Sequence, residues 1–361
     1  MKAADNETNH LMTVIACIII ASFILFFSAG CAKKPDNQPT EISSGSEPAP
    51  VFCGFYTNGS GPSSSYTSLA EHWPYMQEIS PLWYYIWGDG TIEEEIDQQA
   101  LALAREKNIK VIPLAALAYN RSSVVLTEPT ARQTAVQNII RIMRDNNYDG
   151  INIDIEIVKS AGRDYTPEMD GFTQFIKELA AEMKPSGQRL DVCLVPLVDP
   201  PADIAQIYDY QAICGLADRA VLMAYDYHRK GTLPGPVAPL PWVEDNIRAA
   251  LAAGFLPQRL SLGIPSYGYD WPENGTECDI ATMKNVSDLM EERGLSASWN
   301  DDAKTPCLVC GNREIWFEND RSIEGKTNLI KKYRLVGSSM WRLGYDNSSF
   351  WHVIGKLIAG S

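Results

Sequence analysis

Between Asp149 and Glu156 the chain reads Asp-Gly-Ile-Asn-Ile-Asp-Ile-Glu, alternating apolar and polar from Ile151 onward. On an extended strand, residues two apart share a face. Ile151, Ile153 and Ile155 therefore point one way, and Asn152, Asp154 and Glu156 the other. Carboxyls at i and i+2 stand roughly 6.5–7 Å apart along a strand, close enough to couple electrostatically. Paired carboxyls suit general acid catalysis, in which one group keeps its proton to donate while the other stays ionised. A negative Asp154 is expected to raise the pKa of Glu156, helping it remain protonated near neutral pH. A second group follows at Met223-Ala224-Tyr225-Asp226, where Met223 and Tyr225 share a face and Asp226 sits at the strand's tip. Alone it reads as a core Met–Tyr pair with a loop acid. Beside the first row it offers a hydroxyl and another carboxylate to whatever Glu156 works on.

Such groups need a scaffold that brings strand ends together. Val/Ile/Leu-rich runs predict strands at Val51–Tyr56, Leu82–Ile86, Lys110–Leu114, Gly150–Glu156, Leu190–Val195, Ala220–Tyr225, Leu260–Ile264 and Val336–Leu343. Amphipathic segments between them, at Ile92–Lys107, Ala131–Asn146, Pro167–Lys184, Trp242–Ala253 and Ile323–Tyr333, predict helices. Ser68…Glu71 and Thr91…Glu94 have capping-box spacing. Eight strand–helix units imply an α/β fold, a closed (β/α)8 TIM barrel. There the isoleucines meet the helices and the polar row faces the axis, where it must be hydrogen-bonded or functional. An antiparallel sheet with a solvated polar face fits the fourth strand alone but not its β/α surroundings. A doubly wound sheet would want a Gly-rich phosphate turn, and Tyr56-Thr57-Asn58-Gly59-Ser60-Gly61 lacks that spacing. The long interval before the last strand, about residues 272–317, predicts a small α+β insertion between strands 7 and 8, beside the barrel mouth. It contains a helix near Met283–Arg293 and strands near Pro306–Val309 and Glu314–Phe317.

These residues resemble glycoside hydrolase family 18, the chitinase-like barrels. Asp149–Glu156 resembles the family's DGxDxDxE, Met223–Asp226 its MxYD, Gly263–Gly268 its GxPxYG, and Met340-Trp341 its eighth-strand tryptophan. The insertion is similar too, and the phrases at Tyr56–Gly61, Asn152–Asp154 and Trp341–Gly344 look most like the bacterial spore-germination and cell-wall-lytic branch. The resemblance implies an enzyme, a glycosidase cleaving β-linked N-acetylglucosamine glycans. Peptidoglycan or spore cortex is the first expectation; chitin, chitooligosaccharides or N-glycans are alternatives. It implies retaining catalysis assisted by the substrate's own 2-acetamido group. Glu156 would be acid and then base, Asp154 would hold the acetamido N–H, Tyr225 would donate to its oxygen, and Asp226 would support the same sugar. Asn152 (where chitinases carry Asp), Tyr56, Met223, Tyr267 and Trp341 would bind substrate. No cofactor and no metal is implied. Two other readings remain: a non-catalytic sugar-binding barrel, and a hydrolase using Asp154, Glu156 and Asp226 as metal ligands.

With 31 Lys+Arg against 45 Asp+Glu the net charge is −14, which counts against nucleic acid as a partner. The apolar run Leu11–Ala29 predicts that residues 1–30 are a signal peptide or membrane anchor. Ser28-Ala29-Gly30-Cys31 resembles a lipoprotein cleavage box, with Cys31 the lipidated residue. An exported protein held on the outer side of the cell membrane follows, with the spore envelope a further location. Residues 31–50, rich in Pro, Ser, Glu and Gly, read as a flexible linker to a barrel over 51–361, which is expected to be a monomer. Cys53 and Cys193 read as buried strand residues. In an exported protein Cys278 could pair with Cys307 or Cys310.

Overall fold

The computed structural model describes residues 49–272 and 275–359. The expectations for the leader, for Cys31 and for almost all of the linker lie outside the described residues. Among these, no helix is long and apolar enough to cross a membrane.

Eight parallel strands form a closed ring: Val51–Tyr56, Glu78–Ile86, Leu114–Leu117, Gly150–Asp154, Arg189–Leu194, Arg219–Leu222, Leu260–Pro265 and Gly337–Trp341. Each pairs with its neighbours in sequence order, and the last returns to the first. Helices such as Pro129–Asn146, Thr166–Met183, Leu240–Ala252 and Asp320–Tyr333 occupy the intervals. The TIM barrel read from the sequence is therefore the architecture. The seam joins Val51 to Gly337, whose φ is +157°. A Cβ there would lie 1.8 Å from the Val51 carbonyl oxygen, so only glycine lets the two strands meet.

At the barrel's N-terminal end, long polar side chains fill the axis. Arg189 donates to both oxygens of Glu78 (2.7 and 2.6 Å) and to both of Asp191 (2.8 and 2.9 Å), while Arg219 donates to Glu78 at 2.6 Å. Burial alone would raise Glu78; Arg189 outweighs it and holds the carboxyl low, whereas burial still pushes Asp191 up to about 6. Removing one partner from such a network strands the others in low dielectric. Arg189→Met is expected to cost about 3–5 kcal/mol, measurable by urea denaturation; a cost below about 1 kcal/mol would show that the network does not hold the barrel end.

Three local readings are corrected. Ile92–Lys107 is not one helix: Ile92–Glu94 turns back antiparallel on Tyr84–Ile86, and the helix covers Gln98–Glu106. Asp97 sets its start, accepting from the Gln99 and Ala100 amides, a cap that the apolar periodicity obscured. Neither expected capping box forms. The first helix starts at Ser65 behind Ser64, so Ser68 lies inside it and donates instead to Asp346 at 2.8 Å. Thr91 bonds Asp89 in the preceding turn.

The insertion begins earlier than expected, at Tyr267, directly after the seventh strand. Its antiparallel sheet runs Asp279–Thr282, Tyr267–Pro272, Arg313–Trp316, Thr305–Cys310, Ser298–Asn300, with the helix Met283–Arg293. Ala281, Val286, Leu308, Ile315 and Phe317 give it a small core of its own. All six cysteines of the described residues are free, so the Cys278 disulfide is absent. The sheet explains why. Cys278 precedes an edge strand, and the strand carrying Cys307 and Cys310 is three places across, about 14 Å away at ordinary strand spacing.

Candidate active site

The fourth strand delivers its polar row to the axis as the alternation required. Ile151, Ile153 and Ile155 are buried in the main core, and Asn152, Asp154 and Glu156 climb toward the C-terminal rim. Regular strand geometry stops at Asp154 rather than Glu156. Tyr208 fixes the segment beyond it, donating to the Ile155 carbonyl at 2.7 Å, so the backbone between the two acids is held from the loop after the fifth strand.

Asn152 lies lowest and is 1% exposed. Its amide nitrogen donates to Ser80 at 3.2 Å and its oxygen accepts from the Cys193 thiol at 3.4 Å. It supports the acids from beneath rather than lining an open subsite. Above it, Asp154 Oδ1 is buried with no hydrogen-bond partner among the described residues. Burial, followed by the nearby charge of Glu156, raises the Asp154 pKa, with Arg121 opposing. Burial also raises Glu156, but Arg121 and Arg229 pull it down while Asp226 pushes it up. Burial therefore favours a proton on the Asp154–Glu156 pair, and Arg121 opposes the rise at both carboxyls.

The sixth strand supplies the opposite wall. Tyr225 is 7% exposed, and burial first, then Cys193, Asp154, Asp226 and Glu156, keeps its phenol protonated. The next residue, Asp226, takes a left-handed φ of +61°, turning its carboxyl toward the insertion. There Oδ1 accepts from Tyr267 at 2.5 Å and Tyr269 at 3.0 Å. Burial raises Asp226, and the two hydroxyls partly offset that. Space for the Tyr225 ring comes from Gly263 on the seventh strand, where a Cβ would sit 2.6 Å from the Leu222 carbonyl oxygen and 2.9 Å from Tyr225 Cε1. Gly263→Ala is expected to cost about 1–3 kcal/mol and to lower kcat by displacing that ring. Thermal melting and kinetics on one preparation check it; an unchanged kcat would separate Tyr225 from the chemistry.

The proposed substrate-binding residues divide. Tyr267 takes part through Asp226, and its ring meets Tyr225 edge-on with centroids 6.3 Å apart. Trp341 is half-buried at the end of the eighth strand, against Phe55. Met223 is packed in the core. Tyr56 is withdrawn from the group: it is fully buried, and its hydroxyl is consumed by Asp97, the cap of the helix Gln98–Glu106. Spacing alone missed Tyr269, although it continues the alternation of Tyr267. It also missed Arg121, Arg229 and Tyr208, which stand on loops where no periodicity marks them.

Two surface hollows lie away from these carboxyls: one of about 1040 Å³ opens beneath the barrel around Lys110, Lys184 and Arg259, and one of about 710 Å³ lies between the helices Pro129–Asn146 and Thr166–Met183.

A family model described as "Glycosyl hydrolases family 18" matches residues 87–346. The chain is 26% identical over 316 residues to YvbX, described as an uncharacterized glycosylase of Bacillus subtilis (strain 168), covering 83% of this chain and 90% of that one. It is 27% identical over 240 residues to the cortical fragment-lytic enzyme of the same strain, covering 63% of this chain and about half, 54%, of that enzyme. A crystal structure of a chitinase from Chromobacterium violaceum ATCC 12472 superposes with a TM-score of 0.77 at 23% identity, covering 86% of this chain and 99% of that one.

Proposed function

The chain belongs to the glycosyl hydrolases of family 18 and is a glycosidase, and from that premise we propose that it is an exported hydrolase of N-acetylglucosamine-containing cell-wall glycan, peptidoglycan or spore cortex, that works by substrate-assisted retention. The observation that carries the reading is the buried Oδ1 of Asp154 beside Glu156, which has no donor among the described residues. A buried carboxylate oxygen without a donor is costly, and a sugar's 2-acetamido N–H is the donor that this position lacks.

The chemistry follows from the electrostatics. In the free site burial favours a proton shared by the Asp154–Glu156 pair. When an acetamido N–H bonds Asp154, its ionised form is favoured, and the proton of the pair then resides on Glu156. Glu156 then protonates the glycosidic oxygen while the acetamido oxygen, held by the Tyr225 hydroxyl, attacks the anomeric carbon. Negative Asp154 stabilises the resulting oxazolinium-like cation. Glu156, now a carboxylate, deprotonates the water that opens it. Asp226, fixed by Tyr267 and Tyr269, supports the same sugar.

The choice of glycan rests on likeness to the cortical fragment-lytic enzyme. The apolar run and Cys31 support export and a place on the outer side of the cell membrane, through a lipid or signal anchor, or in the spore envelope; the barrel is proposed to act as a monomer. Mass spectrometry of products from peptidoglycan, spore cortex and chitooligosaccharides tests the substrate. Cellooligosaccharides, which lack the acetamido group, are expected to survive; their cleavage at comparable rates would remove substrate assistance.

A further inference from the structure

The end of the barrel opposite Glu156 and Asp226 gathers positive charge. There the hollow of about 1040 Å³ is bounded by the chain entering the third to seventh strands and by the close of the helix Thr166–Met183. Four exposed cations line it, Lys110, Lys177, Lys184 and Arg259, and none makes an ion pair among the described residues. Two acids share the lining: one oxygen of Asp149 accepts from the Val111 amide and one of Asp218 from the Leu190 amide, both at 2.9 Å. Arg189 also reaches the hollow, but it is spent on Glu78 and Asp191. Four cations against two acids leave two positive charges here, in a chain whose net charge is −14. The chain enters the barrel at this same end. Val51 opens the first strand, Cys53 on that strand lies in register with Glu78, and Glu78 with Lys110. Everything that precedes Val51, the proposed anchor included, therefore joins the barrel on the side of the hollow.

We propose that this end docks on the phosphate head groups of an anionic membrane. An anchored enzyme then stands with the hollow against the lipid and its catalytic carboxyls turned toward the cell-wall glycan. The proposal rests on the anchor of the preceding subsection for proximity and on nothing in the catalytic chemistry. Ammonium and guanidinium groups pair well with phosphate oxygens. Each basic side chain near an anionic lipid surface contributes about fivefold, so two net charges favour docking by about 25-fold. That preference is too weak to recruit a free chain carrying so many acids. Once an anchor holds the chain at the surface, however, a weak contact suffices, and the hollow decides which end approaches. The excess of Asp and Glu lies elsewhere on the chain, where like-charged lipid repels it.

The test uses the full chain reconstituted with vesicles of phosphatidylglycerol or of phosphatidylcholine, and reads the acylation of each lysine by mass spectrometry. At low salt Lys110, Lys177 and Lys184 are expected to react about tenfold less on phosphatidylglycerol. Lys159, exposed beyond the fourth strand at the catalytic end, is expected to react equally on both. The protection should vanish in about 0.5 M salt. Combining Lys184→Gln with Arg259→Gln removes the net charge, so Lys110 and Lys177 should lose their protection while cleavage of soluble oligosaccharides is unchanged. Equal labelling on the two lipids would overturn the docking, and so would protection of Lys159 to the same extent. The same protection on phosphatidylcholine with inorganic phosphate added would make the hollow a site for free phosphate and overturn it too. A chain that floats with both vesicles under equal labelling keeps the anchor and loses the docking; one that floats with neither loses both. The glycosidase site stands in either case.

Discussion

Glu156→Gln is expected to reduce turnover by about 10³-fold or more with the fold intact. General acid catalysis alone contributes about 10²–10⁴-fold, and this residue also serves as base for the second step. Glutamine keeps the shape and removes the proton relay. It also removes a carboxyl whose ionised form is disfavoured by burial and by Asp226, so its melting temperature should not fall. Circular dichroism melts and single-turnover product assays on one batch provide the check. Turnover within tenfold of wild type would move the proton donor elsewhere.

Asp154→Asn is expected to lower kcat by about 10²–10³-fold, since the amide can still accept from the acetamido N–H but supplies no charge to the developing cation. Its signature is a change in how stability depends on pH. Asp154 has a folded pKa raised above its unfolded value, by burial and then by Glu156. The native state therefore binds the extra proton, and this contribution to stability is complete below the ordinary carboxylate range, near pH 4. It is lost as pH rises through the folded pKa. The asparagine variant should lose less stability between pH 4 and 8 than wild type, so the gap in its favour widens with pH. Urea midpoints across that range measure it, and parallel curves would place the costly charge on another group.

The barrel was legible because its parallel strands are buried on both faces and so announce themselves as apolar runs. Asn152, Asp154 and Glu156 were legible for the complementary reason: polar residues on a buried strand face stand out against a strict alternation. What escaped was decided by contacts between distant segments. Nothing near Tyr56 says that its hydroxyl meets Asp97, and nothing near Asp226 announces Tyr269. The charges of Arg121 and Arg229, which act on these carboxyls, stand on loops that have no period to read. Ile92 was misassigned because its apolar neighbours fit a helical stripe as well as a hairpin, and only the cap at Asp97 decides between them.

The seam between Val51 and Gly337 also governs when the molecule can first exist. During synthesis the opening strand emerges some 280 residues before its second neighbour, leaving Phe52 and Phe55 on an unfinished edge until the eighth strand arrives. A nascent chain cut short before Gly337 has no ring to close, however sound its catalytic strand. Maturation is thus all or nothing with respect to length, and partially made product should be cleared by proteolysis instead of accumulating as a weakened hydrolase.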